Sequence, residues 1–327
     1  MLIRIFKVNN SILIVGLLLV ASAFWIPSFF CEKETVFSGS PMPFYSLICS
    51  FFSTNKILSA SVSIILIVTE AVLLNLIIQQ FHLLKNQTYL PALVYVVLMS
   101  SIPEVLLLHP VLFANLFLIL ALKRSFGLLG NTNASSAAFD SAFFVSIGSL
   151  FYFPSILFLI FVWIALAAFR SFSSRDWLIA IIGIFVPYLF AGVYFFWFDE
   201  SRQFWSETIF QPIINKVSNE IIFLKSFYAF LIFLSLMIVF SIPSFLSEMG
   251  RNKAVIRSGL RLFIWFGFFS VLSFFIATAN ALFHFCFAAI PLSIIFSNMF
   301  LNIKPVFSEI IFTLFLLLII IYQLNYF

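Results

Sequence analysis

Apolar runs long enough to cross a bilayer recur along this chain, and they leave it little choice of solvent. The clearest cover Ser11–Phe30, Ile57–Phe81, Trp177–Phe198, Ile221–Pro243, Leu260–Asn280, Ala281–Phe300 and Pro305–Tyr322. Each is close to the ~20 residues that carry an α-helix through ~30 Å of hydrocarbon. Lipid offers no partner to a bare peptide group, so such segments close their hydrogen bonds internally as helices. Composition agrees: 63% of the 327 residues are hydrophobic and 9% are charged, where a soluble domain carries ~25% charged residues. The expected fold is an all-α polytopic bundle, one integral membrane domain over residues 1–327.

Two further apolar blocks are longer than one helix. Tyr89–Leu122 holds Pro103, Glu104, His109 and Pro110 at its middle, and Ala137–Phe169 is interrupted at Phe151, Tyr152, Phe153 and Pro154. Proline lacks a backbone donor and clashes with the preceding turn, so each block is expected to form a hairpin of two helices of ~15 residues. Helices that short thin the bilayer around them, or cross only part of it. The expected total is about eleven spans.

Lys and Arg set the expected orientation. With the N-terminus inside, Arg4, Lys7, Lys85, Lys123, Arg124, Arg170, Arg175, Arg251, Lys253, Arg257, Arg261 and Lys304 fall in the cytoplasm, and only Lys33, Lys56, Arg202, Lys216 and Lys225 fall outside. This asymmetry obeys the rule that basic residues are retained on the cytoplasmic side. Residues 31–56 and 199–221 then form the large outer loops, and 244–259 a basic cytoplasmic loop. The formal net charge of +5 follows from topology and does not point to nucleic acid. Arg4, Lys7 and Ala21-Ser22-Ala23 have the look of a signal peptide, but the apolar run continues through Phe24, Trp25 and Phe30, which favours an uncleaved anchor. Cys31, Cys49 and Cys286 read as small hydrophobes, although the first two share an outer loop and could pair.

From Phe204 to Ile222 the apolar residues Ile209, Phe210, Ile213, Ile214, Val217 and Ile221 recur at helical spacing, with Glu207, Gln211, Lys216 and Glu220 opposite. This predicts a helix lying in the interface, with Trp205 at headgroup depth. Phe44–Phe52 is a second candidate, and two such helices on one face suggest a roof over a working site.

A charged side chain deep in hydrocarbon costs at least about 2.5 kcal/mol, so any ionisable residue there is a functional candidate. Glu70 lies near the middle of the second span, with Asn75 five residues on. Glu104 and His109 occupy the outer turn of the first hairpin, with Asn115 deeper in the helix that follows. Asp140 and Glu309 stand in the first turns of their helices, where an acid complements the dipole. Glu70, Asn75, Asn115, Arg202 and Lys216 are the binding candidates. No glycine-rich phosphate loop or serine-hydrolase elbow is present. His82, His109 and His284 fall at different depths, so no metal site is expected and no cofactor is implied by the residues themselves. The absence of a Gly-x-x-x-Gly pair within a span weighs against closely packed, moving helices.

Between Ser101 and Trp177, Ile102-Pro103-Glu104-Val105, Asn115 with Leu118, Lys123-Arg124, Phe139-Asp140, Ser149-Leu150-Phe151-Tyr152, Arg170 and Arg175-Asp176-Trp177 resemble an uncharacterised family of integral membrane proteins from Bacteroidetes. The opening Arg4-Ile5-Phe6-Lys7 is similar as well. The resemblance implies a bacterial inner-membrane location and structural roles for Arg124, Asp140, Tyr152, Arg170 and Arg175. A looser likeness is to membrane glycosyltransferases that use polyprenyl-phosphate sugars, in which an outer-loop carboxylate acts as base or positions a divalent metal. It implies Glu34 and Glu104 as the catalytic pair, with Glu32 and His109 as alternates. Three readings follow: a structural or accessory part of an envelope process, with membrane lipid and other envelope proteins as partners; a lipid-linked-sugar glycosyltransferase; and a transporter of lipid or a small anion.

Overall fold

A computed structural model describes residues 2–30, 42–52, 56–106, 108–129, 134–169, 173–206, 225–276 and 281–326. Those residues are mostly helical, with no strand among them. The helices are α1 (Leu2–Phe6), α2 (Leu13–Phe30), α3 (Pro43–Phe52), α4 (Lys56–Gln80), α5 (Leu90–Met99), α6 (Pro110–Phe126), α7 (Ala134–Phe151), α8 (Phe158–Phe169), α9 (Ser174–Trp197), α10 (Lys225–Arg251), α11 (Ala254–Ile276), α12 (Phe285–Asn302) and α13 (Pro305–Tyr326). Seven of them, α4, α7 and α9 to α13, are long and apolar enough to cross a membrane, and Leu13–Pro27, Leu90–Met99 and Phe153–Phe169 are shorter apolar helices.

Both expected hairpins break near their prolines. Ile102, which precedes Pro103, is held extended (φ −110°, ψ 114°), as is His109 before Pro110 (φ −135°, ψ 157°), because the proline ring crowds the α conformation of the residue before it. Tyr152 is extended in the same way ahead of the Phe153–Leu157 3-10 turn, which contains Pro154. The first half-hairpin is shorter than expected: α5 has 10 residues, ~15 Å of rise and about half the hydrocarbon thickness. It survives because every one of its residues is buried among α4, α12 and α2, so protein rather than lipid surrounds it.

Elsewhere proline is absorbed within helices. α10 passes through Pro243 and ends at Arg251, so the basic connection expected over 244–259 contracts to a turn at Asn252-Lys253. In α9 the Ser146 hydroxyl donates to the Ile184 carbonyl at 2.7 Å, one turn before Pro187. Side-chain hydroxyls of this kind satisfy carbonyls near a proline inside a membrane helix.

α7 and α9 approach closely where Gly183 of α9 lies against Phe139 and Ala142 of α7. A Cβ on Gly183 would stand 2.6 Å from the Phe139 carbonyl oxygen. A single small residue therefore does here what a Gly-x-x-x-Gly pair does elsewhere. The wider core is aromatic, with Phe158 and Phe266 rings at 4.6 Å and Phe161 edge-on to Phe266 at 5.4 Å.

Contacts between distant segments sort the chain ends onto two ends of the bundle. The Tyr89 N–H donates to the Phe6 carbonyl at 3.0 Å, the Arg4 N–H donates to Glu309 Oε1 at 3.0 Å, Gly259 abuts Phe126 and Leu83, and Asn302 donates to the Ser244 hydroxyl at 3.2 Å. Arg4, Lys85, Arg257 and Lys304 therefore share one end. The breaks at 100–109, 152–157 and 281–284 gather at the other.

Candidate functional site

A buried polar chain crosses the junction of α4, α5, α6 and α12. Glu70 is 0% exposed, and its Oε2 accepts the Tyr95 hydroxyl hydrogen at 2.7 Å. Asn115 Nδ2 donates to the Tyr95 oxygen at 2.8 Å and to the Cys286 carbonyl at 3.1 Å. Four helices are thus held by one chain of hydrogen bonds in a low-dielectric interior, where each bond is stronger than in water. No basic side chain among the described residues pairs with Glu70, and its Oε1 and the Asn115 Oδ1 make no hydrogen bond there. Asn75 is buried without a partner for either amide atom.

Toward the broken-helix end a second cluster is built on His284. Ser273 donates its hydroxyl hydrogen to the Ser270 carbonyl at 2.7 Å, which leaves its lone pairs for the His284 Nδ1–H at 2.9 Å. The other ring nitrogen is then bare and accepts the Tyr152 hydroxyl at 2.6 Å. Neighbours fix the tautomer, as they do for most buried imidazoles. His109 is 3% exposed and lies against Phe283 at 4.6 Å, with neither ring nitrogen hydrogen-bonded among the described residues.

The backbone around the 100–109 break is satisfied by side chains, two of them from distant helices. Gln323 of α13 donates to the Ser100 carbonyl at 2.7 Å, Ser101 Oγ donates to Leu98 at 2.6 Å, and Tyr45 of α3 donates to Leu108 at 2.9 Å. Irregular backbone at membrane depth persists only where protein or a wet cavity supplies such partners. Apolar grooves lined by described residues open on the surface. One of about 420 Å³ lies between α2 and α13, over Gln323, and one of about 370 Å³ runs along α9 beneath Trp205. Glu70 lines neither.

The proposed site residues divide accordingly. Glu70 and Asn115 come together through Tyr95, which the sequence did not single out. Arg124 Nε and Asp140 Oδ2 meet at 3.3 Å. Tyr152 reaches His284, a pairing across 132 positions that nothing local could signal. Arg175 is exposed at the start of α9 and Arg202 lies exposed in the short turn Ser201–Gln203. Glu104 stands in the Pro103–Val105 turn, its side chain outside what the structure describes. Glu32, Glu34, Arg170, Lys216 and most of the expected interfacial helix over Phe204–Ile222 lie outside the described residues. No group of three or more His, Cys, Asp or Glu able to hold a metal occurs among the described residues.

Residues 42–327 match a family of unknown function, DUF6427. The chain belongs to the DUF6427 family. Every residue of the Glu70 and His284 clusters lies inside the matched region, whereas α1 and α2 precede it. No curated protein and no solved structure matches this DUF6427 chain.

Proposed function

We propose that this DUF6427 protein is a non-catalytic inner-membrane component of a cell-envelope process, a helical scaffold whose buried polar groups join its own helices. One observation carries the reading: the carboxyl most costly to place in a membrane is wholly buried and taken up by Tyr95, and through Asn115 by α12. Its partners are membrane lipid and other envelope proteins. The test is substitution followed by two readouts. Glu70→Gln is expected to lower protein abundance, while Glu34→Gln and Glu104→Gln leave growth and surface glycan profiles unchanged. Normal abundance with Glu70→Gln and altered glycans with Glu34→Gln or Glu104→Gln would reverse the assignment.

A second reading has its own support. α3 packs on α7, and Tyr45 holds the Leu108 carbonyl in the break that contains Glu104 and His109, an arrangement suited to a roof over an outward site. In that case the protein transfers a sugar from a polyprenyl phosphate, with Glu34 or Glu104 as base or metal-positioning group. The same variants separate the two.

A further inference from the structure

The turn between α10 and α11 concentrates positive charge at the edge of the bilayer. Arg251 ends α10, Lys253 follows in the turn, and Arg257 and Arg261 lie one and two turns into α11. Arg251, Lys253 and Arg261 are exposed, and among the described residues none of them is paired with an acid. The nearby acid, Glu248, is engaged with the Asn252 amide at 3.4 Å. Arg257 Nη2 donates to the Asn252 carbonyl at 3.2 Å, and its buried Nε has no partner there.

Position on the helix gives this charge a direction. Arg257, Arg261, Ile264, Trp265 and Phe268 recur at three- and four-residue spacing, so they share one face of α11. Ile264, Trp265 and Phe268 are 37%, 40% and 54% exposed, which makes this the lipid-facing stripe of a helix long enough to span. Side chains lean toward a helix N-terminus. The Arg261 guanidinium therefore reaches back toward Arg257 and the headgroup layer, its stem lying along the apolar surface. The first peptide N–H groups of α11 have no helical acceptor and favour an anion at the same place. An unpaired guanidinium facing lipid requires a counter-charge from the membrane, and guanidinium matches phosphate with paired hydrogen bonds.

We propose that the α10–α11 turn is a binding site for an anionic membrane phospholipid, its headgroup phosphate held by Arg257 and Arg261 with Arg251 and Lys253 at the rim, and its acyl chains lying along Ile264, Trp265 and Phe268. This stands independently of the scaffold reading. It is tested on the full chain purified in mild detergent, by adding phosphatidylglycerol or phosphatidylcholine and following the melting midpoint. Phosphatidylglycerol is expected to raise the midpoint by several degrees more than phosphatidylcholine. Arg257→Gln/Arg261→Gln abolishes that difference, and Lys85→Gln, an exposed basic residue of the same end, retains it. Equal effects of the two lipids, an equal shift from inorganic phosphate alone, or equal loss in Lys85→Gln overturns the site. Native mass spectrometry of the unsubstituted protein gives the same reading without a variant: phosphatidylglycerol adducts outlast phosphatidylcholine adducts on activation, and equal survival refutes the proposal.

Discussion

Tyr95 is the residue on which most of the buried polar chemistry converges, since its hydroxyl serves Glu70 as donor and Asn115 as acceptor. Tyr95→Phe keeps the ring, strands Glu70 Oε2 and leaves Asn115 Nδ2 its bond to the Cys286 carbonyl, and leaving a buried polar group unsatisfied costs about 1–3 kcal/mol. A lower melting midpoint in detergent is therefore expected. Asn75 presents the opposite case. Both its amide atoms are buried without partners among the described residues, so Asn75→Leu, similar in volume, removes a desolvation cost and is expected to leave the midpoint unchanged or raised. A clear fall with Asn75→Leu would mean that the amide holds something essential. At His284, Ser273→Ala removes the acceptor that fixes the Nδ1–H tautomer. A stability loss of about 1 kcal/mol, that of one ordinary hydrogen bond, is expected.

At the scale of elements, the close approach of α7 and α9 sets a sharp limit on side-chain size. Gly183→Ala places a methyl 2.6 Å from a backbone oxygen, which cannot move aside as a side chain can, so about 1–3 kcal/mol of overpacking is expected. Thermal denaturation beside Gly250→Ala, whose Cβ meets nothing within 4 Å, isolates the effect. The elements also show which features local sequence can carry. Long apolar runs and proline breaks are local, and the helices and both interruptions follow them. The length of α5 is not local: its ten residues read as one half of a longer apolar block, and only the protein wrapped around it permits so short a helix. For the same reason Glu70 and Asn115 stood out as isolated intramembrane polar residues, but Tyr95 between them did not, because a tyrosine in an apolar run gives no sign of what its hydroxyl reaches. In sequence His284 is one of three histidines at different depths; its partners are Ser273 of α11 and Tyr152 of the break between α7 and α8.

For the molecule as a whole, the basic residues gathered at one end supply a test of orientation. Single cysteines replacing Lys85, Lys253 or Lys304 in a chain lacking its native thiols are expected to react with an impermeant maleimide only after the cell is opened. A cysteine at Ser201, at the far end of α9, is expected to react in intact cells. Labelling of Lys253 from outside would invert the arrangement.

The enclosure of α5 also constrains the order in which this protein can be made. Too short to span lipid, it finds its sheath partly in α12 and its terminal carbonyl partner in Gln323, 223 positions after Ser100. A nascent chain must therefore shelter α5 against α4, or within the insertion machinery, until its last helices arrive. Ribosomes stalled before α12 should leave a product cleared by membrane proteases, although most of its long spans are already in place.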